Sequence, residues 1–117
     1  MESILTSIKK MLGIAEEYTY FDADIIMHIN SVFMILNQLG VGPEEGFMIE
    51  DATSVWSDFI PDDNPVQMEA VKSYIFLKVR LLFDSNTLSS AVIDSTNKLI
   101  AELEWRLNTA AEYWQSE

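Results

Sequence analysis

From Tyr74 to Asp84 the chain reads Tyr-Ile-Phe-Leu-Lys-Val-Arg-Leu-Leu-Phe-Asp, with helical spacing and apolar side chains on nearly every face. A helix that is apolar almost all round is either deeply enclosed or touches something besides its own core. A chain of 117 residues has few elements with which to enclose one. The segment therefore has to be the central helix, and its surplus points to assembly. A later stretch, Glu102-Leu-Glu-Trp-Arg-Leu-Asn108, carries apolar surface of the same kind.

The remaining helices follow from period and punctuation. A short one over about 3–12 places Ile4, Leu5, Ile8 and Leu12 on one side and turns Lys9 and Lys10 elsewhere, with Gly13 as its stop. In the second, Asp22 suits the N-cap, Asp24 the first turn, and Phe21 a hydrophobic staple onto Ile26. Ile25, Ile29, Val32, Phe33 and Leu36 form its stripe, and Gly40 with Gly42-Pro43 ends it. The central helix opens at Asn64-Pro65-Val66-Gln67, an N-cap, a proline at the first helical position and a capping glutamine. Met68, Val71, Ile75, Val79 and Leu82 line one of its faces. The last helix runs from Ser89 or Ser90 to Tyr113, with Val92, Leu99, Leu103, Leu107, Ala110 and Trp114 in a stripe and Ile93 and Ile100 at its edge.

Residues 41–64 are irregular, with Phe47-Met-Ile49 as a short extended piece and 54–60 as one or two helical turns. The expected fold is all-α: a small antiparallel bundle of about four helices with a long irregular loop between the second and third main helices. Length sets a single domain over 1–117.

Composition excludes several functions. The net charge is -12, from 19 acidic and 7 basic residues, and the cations are scattered rather than clustered. Such a surface repels phosphates, which argues against sequence-independent nucleic-acid binding; it is either an ordinary soluble bacterial-type surface or one that DNA must pass without sticking. There is no cysteine, hence no disulfide, thiolate metal site or cysteine nucleophile. His28, the single histidine, sits at the margin of an apolar stripe without a catalytic motif. Asp58, Asp62 and Asp63 lack the alternation and central glycine of a calcium loop. No phosphate-binding glycine loop or nucleophile elbow is present. The expectation is a soluble, intracellular protein that is not an enzyme, with no cofactor, metal, signal peptide or membrane span.

What remains is surplus apolar surface. Trp105 falls opposite Leu103, among Lys98, Ala101, Asn108 and Glu112, and is either an interface anchor or covered by another element. Met27 and Met34 lie one heptad apart, opposite Ile29, and suit either a partner surface or packing against a neighbouring helix. Trp56 and Phe59 either pin the long loop to the bundle or make a subunit contact.

The two strings, Tyr74-Ile-Phe-Leu-Lys-Val-Arg-Leu-Leu-Phe-Asp84 and Glu102-Leu-Glu-Trp-Arg-Leu-Asn108, resemble head–tail connector proteins of long-tailed double-stranded DNA bacteriophages. The resemblance runs from the second helix through the last. It implies a helical subunit, placed in the virion neck and in the host cytoplasm before assembly. It also implies a homo-oligomeric ring of about a dodecamer, closed through two different patches per subunit. The ring would stack on the portal protein, extend the DNA channel without sequence-specific binding, and offer a platform to the next neck or tail protein. The resemblance gives Tyr113 and Trp114 a portal-docking role, although Trp114 also fits the core stripe. A competing reading is a small acidic regulator, or DNA mimic, that blocks a basic nucleic-acid-binding protein. It requires carboxylates arrayed on one face, whereas here they are spread among turns and several helices.

Overall fold

The computed structural model describes residues 2–61, 64–84 and 86–115, with side chains through Ala111. Among these residues the chain is all-α, with helices α1 (Ile4–Met11), α2 (Asp22–Gln38), α3 (Trp56–Phe59), α4 (Pro65–Asp84) and α5 (Ser90–Gln115). The one-turn α3 lies within the stretch expected to form one or two turns. α4 is central, as the apolar run requires: α1, α2 and α5 all pack on it, and α1 also packs on α2.

Local signals set most of the helix ends. Ser3 caps α1, its hydroxyl accepting from the Thr6 amide at 3.2 Å. Asn64 caps α4 in the same way, accepting from the Gln67 amide at 3.1 Å. α2 starts differently from the expectation. Asp22 is its first helical residue, and the cap is Phe21, which makes no side-chain capping bond. The carboxylate of Asp22 is engaged elsewhere, 2.9 Å from the Lys9 ammonium. Lys9 was expected to face away from the core; its side chain is only 3% exposed. Its Nζ also donates to the carbonyls of Glu16 and Tyr18, both at 2.8 Å, so one buried cation ties α1 to the 14–22 connection and to the start of α2. The ring of Phe21 meets that of Phe83 edge-on at 5.2 Å.

The core is built around Ile4, Leu5 and Ile8 from α1, the whole Ile25–Leu36 stripe of α2, and Met68, Val71, Tyr74, Ile75 and Val79 of α4, joined by Trp56 and Phe59 of α3 and Ile100, Leu107 and Ala111 of α5. Leu82 departs from the expected stripe and is exposed, because at that end of α4 Phe83 packs on Phe21. The stripe of α5 is rotated from the expected one. Thr96, Ile100, Leu107 and Ala111 are buried, whereas Val92 and Leu99 are exposed. Glu104 lies on the rotated face: its carboxylate accepts a 2.6 Å hydrogen bond from the hydroxyl of buried Tyr74, which holds a charged residue toward α4.

Burial, and then the Glu104 carboxylate, hold the Tyr74 phenol above its ordinary pKa of 10.0. The unfolded chain releases this proton near 10.0, while the folded chain keeps it to higher pH. Its contribution to stability is therefore complete below 10.0 and declines as pH rises beyond it. Tyr74→Phe should lower stability at neutral pH by about 1.5 kcal/mol and flatten this alkaline decline, read from urea midpoints against pH.

Candidate functional site

Two asparagines one heptad apart on α2 organise the most distinctive surface. The Asn30 amide accepts from the Ile49 amide at 2.8 Å and donates to the Ile49 carbonyl at 2.9 Å. Asn37 donates to the carbonyls of Pro43 and Glu44, at 3.1 and 3.2 Å. A segment without helix or strand of its own thus satisfies backbone groups through side chains of the neighbouring helix. Below it the rings of Phe33, Phe47 and Phe59 pack with centroids 4.7–5.4 Å apart. Gly42 turns the chain at φ +90°, and a Cβ there would run into the Phe59 ring.

Between α2 and the clamped segment lies an open groove of about 870 Å³, floored by Ile26, Phe33 and Phe47. Its rim carries Met27, Met34 and Met48, which are 59%, 65% and 70% exposed. The structure therefore brings Met27 and Met34 together with a third methionine that sequence reading missed. Its signal was the alternation in the extended piece Phe47-Met48-Ile49, which points Met48 away from buried Ile49. Glu45 lines the groove and is exposed, as is its neighbour in the chain, Glu44. Asn30→Ala should free both backbone groups of Ile49, destabilise the chain by about 2 kcal/mol and speed amide exchange at Ile49.

The other candidates are dispersed. Trp105 stands on the outer side of α5 at 68% exposure. Trp56 and Phe59 are buried in the chain's own core. The Trp56 indole donates to the Ser7 hydroxyl at 2.9 Å, and the Ile4 amide donates to Ser54 at 3.0 Å, so these residues fix the long loop to α1. Tyr113 and Trp114 lie outside the described side chains. Further exposed apolar residues that sequence reading did not single out are Tyr18 and Tyr20, beside Phe21. His28 is half-buried on α2. No helix among the described residues is long and apolar enough to cross a membrane.

The arrangement offers an apolar groove on one helix and a lone tryptophan on another, both suited to protein contact. In comparisons with known proteins, a family model described as phage connector protein matches residues 4–114. No curated protein and no solved structure matches the chain.

Proposed function

We propose that this chain, which belongs to the phage connector protein family, forms a ring that docks on the portal, extends the DNA channel and joins head to tail. Family membership gives the coarser statement, a structural role in phage assembly at the virion neck. The finer one is carried by a single observation: one small chain exposes two unlike apolar features, the methionine-rimmed groove on α2 and Trp105 on α5. A ring of identical subunits requires two different patches per subunit, because head-to-tail contacts are heterologous.

Charge supports the channel role. At -12 the chain holds few phosphate contacts, so DNA slides past it rather than binding. The whole of 1–117 acts as one connector domain, present in the host cytoplasm before it joins the neck. Tyr113 and Trp114 supply the portal contact, and the opposite face of the ring receives the next neck or tail protein. Size-exclusion chromatography of the chain with the portal protein of the same genome tests the docking. Co-elution is expected; separate elution at micromolar concentrations contradicts it.

A further inference from the structure

We propose that neighbouring copies are joined by Trp105 of one chain seated in the Met27–Met34–Met48 groove of the next, with Lys98 set against Glu44 and Glu45. The proposal rests on the ring reading above and supplies its subunit contact. Trp105 does not line the groove of its own chain, and α2 and α5 each pack on α4. Trp105 and the methionine rim of the groove are both exposed, off the buried stripes of their own helices. Each is therefore available to another molecule, and the two are complementary rather than alike.

The chemistry of the two halves matches. A groove of about 870 Å³ has room for an indole. Methionine side chains adapt to its outline and make favourable sulfur–aromatic contacts. Tryptophan is the residue type most enriched among binding hot spots. Charge agrees as well. Lys98 lies one heptad before Trp105 on the same face of α5, and among the described residues it forms no ion pair. The groove is lined by the exposed carboxylate of Glu45, with exposed Glu44 next to it in the chain. A cation beside the tryptophan and the Glu45 carboxylate at the groove, neither in an ion pair among the described residues, fix a register between two copies. Since the knob and the groove differ, the contact is head-to-tail and repeats around a ring.

The absence of cysteine makes a clean test possible. Glu45→Cys and Lys98→Cys on one chain keep Trp105 and the three methionines and place one thiol at each charged flank of the contact. Assembled on the portal and treated with a short bismaleimide, this variant should give a ladder of linked multimers, and either single variant should give none. Trp105→Ala should weaken self-association roughly tenfold or more while leaving the circular dichroism spectrum unchanged. Lys98→Glu should weaken it too, and adding Glu45→Lys should restore it. A ring-sized particle by light scattering that yields no ladder and tolerates Trp105→Ala overturns this contact and leaves the ring reading standing. Loss of portal binding by Trp105→Ala, with ring mass unchanged, also overturns it and assigns the tryptophan to the portal. Absence of any ring-sized particle from the wild-type chain removes both.

Discussion

Trp56→Ala should lower the unfolding free energy by about 3–5 kcal/mol, the largest effect expected of any single change here. The ring is 2% exposed and fills the junction between α1, α4 and the long loop. Removing it deletes apolar contacts and leaves a cavity that the flanking helices cannot close. It also removes the indole bond to Ser7, whose hydroxyl in turn donates to the Ser3 carbonyl at 2.6 Å. Lys72 loses the aromatic face that its ammonium approaches at 5.5 Å. The melting temperature should fall by more than about 10 °C. Trp56→Phe, which keeps most of the apolar volume, should give a much smaller fall. The pair also separates the two roles that the sequence leaves open for this residue. A core residue loses stability in the isolated chain, whereas a partner contact leaves stability unchanged and loses only assembly.

Lys9→Met should cost about 3 kcal/mol, even though methionine preserves the apolar stem. The substitution leaves the Asp22 carboxylate without its cation and the carbonyls of Glu16 and Tyr18 without a donor. The ammonium is almost fully enclosed, so water does not replace it. Asp22 is more open, which keeps the expected loss at the lower end of the range for a broken buried pair. The exposed pair of Arg106 and Glu102, at 2.7 Å, is the control. Glu102→Gln should change stability by no more than roughly 0.5 kcal/mol, and salt should erase that difference while leaving most of the Lys9 effect. Thermal melts of both variants at low and high salt read out the contrast.

These residues also show which parts of the fold were legible in the sequence. The stripe of α2 and the Asn64-Pro65 start of α4 are encoded within a few residues, by helical period and capping chemistry, and both stand in the structure. Lys9 was not legible, because its burial depends on two carbonyls and a carboxylate beyond the end of its own helix. The stripe of α5 was displaced for a related reason. Hydropathy counts Leu99 as core and Glu104 as surface, yet the Tyr74 hydroxyl, thirty positions earlier, holds Glu104 at the packed side. The heptad spacing of Met27 and Met34 marked their face from sequence alone. The groove they border was not visible there, since it exists only once Asn30 and Asn37 clamp the loop alongside α2.

Membership of the connector family gives the structural role, and the ring on the portal is the central claim made beyond it. The most direct measurement is the mass, by light scattering after chromatography, of the complex formed when the chain is mixed with the portal protein of the same genome. A single particle heavier than the portal by a full ring of subunits, about a dodecamer, is expected, with each copy in the same head-to-tail contact. A chain that elutes at monomer mass beside an unchanged portal contradicts it.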